Sequence, residues 1–136
     1  MITRINHVGI AVGSINAHLK LYTEILGLKL NDIEIVEDQK VRTAIISIGE
    51  SRLELLEATD PESAIAKHIE SRGEGLHHLA LEVDDVTAAI ADLKAKGVGL
   101  IDETPRGGVE NSSIAFLHPK EPRVLLELVE PSADSV

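Results

Sequence analysis

The sequence contains one internal repeat, and this repeat constrains the fold more than any other feature. The stretch NHVGIAV at 6–12 matches HHLALEV at 77–83 in the kind of residue at each position, and RLELLE at 52–57 matches VLLELVE at 124–130. The offset is 71 residues at the histidines (7 and 78) and 73 residues at the glutamates (54 and 127). A single repeat of this length indicates a duplicated half-domain rather than a solenoid unit.

Each copy of the repeat has the same predicted order of elements, βαβββ. Alternating or β-branched apolar residues indicate the strands, and helical spacing of apolar residues follows the first strand of each copy. Ser14 is predicted to cap the first helix, and Asp84 or Asp85 the second. The predicted strands cover 5–12, 28–37, 41–48 and 52–57 in the first copy and 77–83, 98–102, 113–117 and 124–130 in the second.

The repeat predicts an α+β fold with two tandem βαβββ modules. Module one covers about 4–58 and module two about 76–130, joined by a link helix at about 61–71 with Pro61 in its first turn. Neither module can bury both faces of its sheet alone, so the two are expected to form a single domain over 1–136. The curved mixed sheet would then enclose a common cleft.

Histidine and glutamate lie at matching positions of the two modules. Strand side chains alternate between faces, so His7 and His78 each share a face with small residues that leave room beside them. A carboxylate in an apolar strand is costly to bury unless it is paired or coordinated. A lone His or Glu in a strand more often has a structural role, but two matched pairs favour a metal site. The predicted ligands are His7, Glu54, His78 and Glu127, a nitrogen and oxygen set that suits zinc, cobalt, nickel or manganese.

Composition excludes several other classes of function. The chain has no cysteine, which excludes disulfides and thiolate nucleophiles. The formal net charge of −10 argues against a nucleic-acid partner, because phosphate binding needs a basic face. No apolar run is long enough for a signal peptide or a membrane span. These observations predict a cytoplasmic protein without a membrane or nucleic-acid partner.

Several stretches resemble the vicinal oxygen chelate (glyoxalase) superfamily, and within it the methylmalonyl-CoA epimerases. They are NHVGIAV, RLELLE, GEGLHHLALEVDD, LIDETPR, IAFLHPK and VLLELVE, spread over residues 4 to 130. The resemblance implies a homodimeric isomerase with a divalent cation, often cobalt or manganese. It implies that an acyl-CoA, methylmalonyl-CoA, is interconverted between its (R) and (S) epimers through a metal-stabilised enolate. The family's metal positions map onto the four residues named above, and Glu127 maps onto a catalytic acid/base.

The sequence departs from the family at two places. Some relatives carry an acid/base carboxylate in the strand that reads VRTAI here, where this chain has Thr43. The loop before IAFLHPK is GGVENSS at 107–113 instead of the usual glycine-rich form. The residues expected to contact the acyl-CoA are Thr43, Arg106, His118 and Lys120.

Two alternatives share the predicted fold. A glyoxalase I-like lyase uses the same four ligands on a hemithioacetal formed from a thiol. A metal-free small-molecule-binding module of the bleomycin-resistance type generally lacks the His and Glu ligands, whereas this chain has all four.

Overall fold

The computed structural model describes residues 1–118 and 124–133. The order of elements in this part of the chain is βαβββ, a link helix, and βαβββ, so the α+β class and the two tandem modules are confirmed. The strands are β1 (Ile2–Ala11), β2 (Lys29–Val36), β3 (Val41–Ile48), β4 (Ser51–Ala58), β5 (Gly75–Val83), β6 (Arg106–Gly107), β7 (Ser113–Phe116) and β8 (Leu125–Glu130). The helices are α1 (Ile15–Lys20), α2 (Ala64–Arg72) and α3 (Val86–Ala95).

The chain divides into two compact units. The first unit is His7–His77, and the second consists of Met1–Asn6 together with His78–Val136. In the first unit the strand order is β2-β3-β4-β1, with β1 parallel to β4 and the other neighbours antiparallel. In the second unit the order is β5-β8-β7-β6, with β5 parallel to β8. The parallel pair in each unit brings together the two strands whose sequence pattern is repeated between the modules.

The first residues of β1 are held in the second unit by polar contacts to β5. The side-chain amide of Asn6 donates to Oε1 of Glu82 at 2.9 Å, and the hydroxyl of Thr3 donates to the Glu82 carbonyl at 3.4 Å. The amino terminus also pairs with the carboxylate of Asp84. Glu82 therefore has a structural role as an acceptor for the first strand.

Aliphatic side chains form the core between helix and sheet in both units. Ile15, the first residue of α1, is fully buried, and a buried side chain of this size stabilises the fold by about 1.5–3 kcal/mol. In the first unit this core contains Val12, Ile15, Ala44, Ile46 and Leu55. In the second unit it contains Val83, Val86, Ile90, Ala115, Leu117 and Leu128.

Polar side chains cap both module helices where the sequence predicts them. The Ser14 hydroxyl accepts a hydrogen bond from the Ala17 N–H at 3.3 Å at the start of α1. The Asp85 carboxylate accepts one from the Ala88 N–H at 3.0 Å at the start of α3. Asp85, rather than Asp84, is therefore the cap of the second helix.

A second capping contact is also repeated, and the sequence analysis did not identify it. Oε1 of Glu57, near the end of β4, accepts from the Ile15 N–H at 2.7 Å. Oε1 of Glu130, at the end of β8, accepts from the Val86 N–H at 2.8 Å. Each module thus ties the first turn of its helix to its last strand, and the carboxylates lie where the helix dipole favours negative charge.

The link helix starts later than predicted. It begins at Ala64 with Ser63 as its N-cap, so Pro61 precedes the helix instead of forming its first turn. The hydroxyl of Ser63 accepts from the Ile65 N–H at 3.1 Å, and a capping side chain at this place fixes the helix start.

The predicted strand at 98–102 is wrong. The structure has only an isolated bridge there, between Leu100 and Leu117, and the two-residue strand β6 further on. Both the Ile101 and the Asp102 N–H donate to the Phe116 carbonyl, at 2.9 and 3.2 Å, and the Asp102 carboxylate accepts from the Phe116 N–H at 2.8 Å. A side chain thus replaces the main-chain acceptor that a regular strand pairing would supply.

Within the described ranges, no helix has both the length and the apolar character that crossing a membrane requires.

Candidate metal centre

In the first unit His7 and Glu54 form a buried pair on neighbouring strands. In the parallel pairing of β1 with β4, Gly9 lies opposite Glu54, so His7 is two residues along on the same face. Nδ1 of His7 lies 3.2 Å from Oε2 of Glu54, and both residues are 3% exposed.

In the second unit His78 and Glu127 form the equivalent pair. Ala80 on β5 lies opposite Glu127 on β8, which is the register seen at Gly9 and Glu54. Nε2 of His78 lies 2.8 Å from Oε1 of Glu127, and both residues are buried. The His78 ring also meets the Phe116 ring edge-on, with 5.7 Å between the centroids. Each half therefore places one His and one Glu in contact, as the repeat predicts.

The chemistry of these residues fits a divalent cation. Removing a carboxylate from water is costly without a compensating charge, and each of these glutamates is buried beside an imidazole. Imidazole nitrogen and carboxylate oxygen are the donors that zinc and related first-row cations take. His7, His78 and Glu127 in particular are buried groups that can each offer one ligand atom.

His77 is the neighbour of His78 in β5 and faces the opposite side of the sheet. It is half-buried, and its ring contacts the ring of His68 on α2 edge-on, with 4.8 Å between the centroids. Burial lowers the pKa of His68, and the Arg72 charge lowers it further. This ring contact packs the link helix against β5 within the first unit.

The residues predicted to contact the acyl-CoA differ in their burial and surroundings. Thr43 is fully buried in the middle of β3. Arg106 is exposed on β6, where its guanidinium carbon lies 5.5 Å from the centre of the Phe116 ring and Nε lies 3.4 Å from a carboxylate oxygen of Asp102. His118 is exposed, and its main-chain N–H donates to the Gly99 carbonyl at 2.9 Å. Lys120 lies outside the described residues.

Phe116 contacts both a predicted metal ligand and a predicted acyl-CoA contact, and it was not among the residues predicted from the sequence. Its ring contacts His78 on one strand and Arg106 on another, all within the second unit. A cation near an aromatic face is attracted by about 0.5–1 kcal/mol at exposed sites. The chain contains one phenylalanine, so its place in the IAFLHPK stretch was a usable signal.

Glu34 on β2 is a further group that the sequence analysis did not identify. In the antiparallel pairing of β2 with β3 it lies directly opposite Thr43. Glu34 is half-buried. Burial raises the pKa of its carboxyl, and the nearby Asp32 charge raises it further. The alternation in LNDIEIV was the available signal for the face on which Glu34 lies.

Comparison with known proteins identifies relatives over almost the whole chain. The family model described as Glyoxalase/Bleomycin resistance protein/Dioxygenase superfamily matches residues 6–116. Uncharacterized protein YqjC of Bacillus subtilis (strain 168) is 39% identical over 132 residues, which cover 96% of this chain and 94% of that protein. The mitochondrial methylmalonyl-CoA epimerase of Homo sapiens is 33% identical over 127 residues, covering 92% of this chain and 72% of the human protein.

A solved structure supports the same relationship. The structure of a Streptomyces coelicolor methylmalonyl-CoA epimerase variant in complex with 2-nitronate-propionyl-CoA matches with a TM-score of 0.94 and 41% sequence identity. The match covers 98% of this chain and 97% of that one. The similarity therefore extends through both modules.

Proposed function

Because this chain belongs to the glyoxalase/bleomycin resistance protein/dioxygenase superfamily, we propose that it is a metal-dependent epimerase of (R)- and (S)-methylmalonyl-CoA. The observation that carries the proposal is the buried His–Glu contact present in each half at the same register. The acyl-CoA ligand of the Streptomyces coelicolor epimerase supports an acyl-CoA substrate for this chain.

The proposed metal ligands are His7, Glu54, His78 and Glu127. All four are buried, and together they offer two nitrogen and two oxygen donors. A bound divalent cation, cobalt or manganese in this proposal, would act as a Lewis acid toward negative charge that develops on substrate oxygens. The burial of the ligands excludes bulk water, which strengthens electrostatic stabilisation of that charge.

Glu127 is the proposed base. The α-proton of methylmalonyl-CoA lies between a thioester and a carboxylate, so removing it spreads negative charge onto the neighbouring oxygens. A carboxylate held within reach of that carbon can accept the proton in one direction and return it in the other. The contact with His78 at 2.8 Å fixes the orientation of the Glu127 carboxylate.

Groups outside the four ligands would hold the acyl-CoA. Arg106 and His118 are exposed at the ends of β6 and β7, where an anionic substrate can meet them. Thr43 and Lys120 complete the proposed set. A single domain, a homodimer and a cytoplasmic location are further parts of this proposal.

The test follows one resolved epimer of methylmalonyl-CoA by circular dichroism. The metal-loaded protein should make the signal change to that of the equilibrium mixture of the two epimers, and the EDTA-treated protein should not. A stable signal with every divalent cation would contradict the proposal. The hemithioacetal of methylglyoxal and glutathione, tested in parallel, would then decide for or against the lyase alternative.

A further inference from the structure

Inversion at a carbon centre requires proton carriers on two sides of that carbon. One carrier removes the proton and another delivers a proton to the opposite face. Glu127 serves one side in the proposed function, on which this inference rests. The second carrier has to be a group that can hold and release a proton near neutral pH.

The strand register of the first unit shows which side chains share the face of His7 and Glu54. Glu54 on β4 lies opposite Ile45 on β3, and two residues further along Leu56 lies opposite Thr43. Glu34 on β2 lies opposite Thr43. Directly opposed residues point to the same side of an antiparallel sheet. Glu34, Thr43 and Glu54 therefore share one face.

Few ionisable groups are available on this face of the first unit, all of whose residues the structure describes. β3 contributes none, because Val41, Thr43 and Ile45 face this side. The ionisable groups on the other strands are Lys29, Asp32 and Glu34 on β2, Arg52 and Glu54 on β4, and His7 on β1.

The remaining ionisable groups are less suited to the task than Glu34. His7 and Glu54 are assigned to the metal, and the cationic groups of Lys29 and Arg52 offer hydrogen-bond donors but no acceptor. Asp32 is exposed to solvent, whereas Glu34 is half-buried. Among the strand residues of this face, Glu34 is therefore the group that remains for proton transfer.

We propose that the Glu34 carboxyl is the second proton carrier and acts from β2 across Thr43. Adjacent strands lie about 4.8 Å apart, and the glutamate side chain is long enough to extend over the short Thr43 side chain. A glutamate on the neighbouring strand thus supplies the carboxyl group that β3 lacks.

The surroundings of Glu34 suit the delivery of a proton. Burial raises the pKa of its carboxyl, and Asp32, two residues away on the same face, raises it further. A raised pKa increases the fraction of protonated Glu34 near neutral pH, and a protonated acid is needed to reprotonate carbon.

The proton balance is complete without another reactant. In one direction the Glu127 carboxylate takes the α-proton, and the Glu34 carboxylic acid delivers its proton to the other face of the same carbon. Glu127 then loses its proton to solvent and Glu34 regains one from solvent. In the reverse direction the two residues exchange roles.

The test uses the metal-loaded Glu34→Gln protein with each resolved epimer in D₂O, followed by proton NMR and by a chiral assay. Wild type should exchange the α-proton of both epimers and invert both. The variant should exchange only the epimer whose proton faces Glu127, without inversion, and its inversion rate should fall about 100-fold or more. Exchange without inversion in one epimer is a result that a merely structural role of Glu34 would not produce.

Glu37→Gln is the matched control. Glu37 is exposed in the short helix after β2, and its variant should invert both epimers at the wild-type rate. Inversion of both epimers by Glu34→Gln at the wild-type rate would overturn the inference and leave the epimerase activity standing. Equal loss of exchange for both epimers, in a folded and metal-loaded variant, would also overturn it. An absence of exchange in wild type would instead refute the proposed function itself.

Discussion

His78 and Glu127 contact each other through Nε2 and Oε1 at 2.8 Å, on parallel strands whose register places Ala80 opposite the glutamate. The same register recurs in the first unit, where His7 contacts Glu54 through Nδ1 at 3.2 Å. The two imidazoles thus face their carboxylates with different ring nitrogens. In each pair the remaining ring nitrogen and the second carboxylate oxygen are further donor atoms, so the pairing itself is compatible with metal binding.

Replacing Glu127 by glutamine should remove the base and keep the shape of the side chain. We expect kcat for epimerisation to fall by about 10²–10⁴-fold, the range typical of a lost general base. The measurement is the initial rate on a resolved epimer, with far-ultraviolet circular dichroism to confirm the fold. Glu103→Gln is the control, because Glu103 is exposed and pairs only with Lys94 among the contacts seen, at 2.7 Å. A Glu127→Gln protein with the wild-type rate would contradict the assignment.

Metal binding should depend on histidines from both halves of the sequence. His7→Ala and His78→Ala should each lower the cobalt or manganese retained after dialysis, because each removes one ligand. A metal that binds the folded state stabilises it by RT ln(1 + [metal]/Kd), so a weaker site with a larger Kd gives less stabilisation at the same metal concentration. The rise in Tm on adding metal should therefore shrink in both variants.

His18→Ala is the control for these metal measurements, since His18 lies on α1 and pairs with Glu74 at 3.1 Å. Unchanged metal content in either ligand variant would refute the four-residue site.

Two adjacent glycines before β7, Gly107 at the end of β6 and Gly108 directly after it, have different surroundings. A Cβ at Gly108 would lie 2.6 Å from the Ser112 hydroxyl and 2.8 Å from a methyl carbon of Ile114, whereas a Cβ at Gly107 meets nothing within 4 Å. Gly108→Ala should therefore cost about 1–3 kcal/mol of unfolding free energy, as overpacking does. Gly107→Ala should be close to neutral. Chemical denaturation of both variants measures the difference, and equal stabilities would contradict the packing described.

Glu74, which follows the link helix, contacts residues at the start of α1. Its pKa predicts how the stability of the protein changes with pH. The carboxylate accepts from the Gly13 N–H at 2.6 Å and lies 3.1 Å from Nε2 of His18. The Gly13 hydrogen bond lowers the pKa of Glu74 most, and His18 lowers it further. A lowered folded-state pKa adds stability above the unfolded pKa, and this contribution disappears as the pH falls through the folded value.

Glu74→Gln should accordingly have a lower Tm than wild type at pH 7, and the difference should shrink toward zero in the acid range. Thermal unfolding from pH 7 down to pH 3 measures it. A Tm difference between the two proteins that grows on acidification would contradict a lowered pKa of Glu74 in the folded state.

The repeat made the fold and the paired residues predictable from the sequence. Strand β3 was predicted with the observed bounds, Val41–Ile48. The prediction of a strand at 98–102 failed because the Asp102 carboxylate accepts the hydrogen bond from the Phe116 N–H. In a regular β-ladder a main-chain carbonyl would accept that bond. Sequence patterns report which residues alternate, but not which side chains compete with the main chain.

Glu34 illustrates the same limit at the site. Its parity within β2 could be read from the sequence, but its position opposite Thr43 depends on the register between two strands. That register includes an irregularity between Leu30 and Asp32, which the sequence does not reveal. A shift by one residue would have put Glu34 on the opposite face of the sheet.

The most direct test of the central claim is α-proton exchange of methylmalonyl-CoA into D₂O, measured by proton NMR while EDTA-treated protein is titrated with cobalt or manganese. A single site built from the four ligands predicts that the exchange rate rises with added metal and saturates at one equivalent per chain. No exchange at any metal concentration, or full exchange before metal is added, would contradict a metal-dependent epimerase.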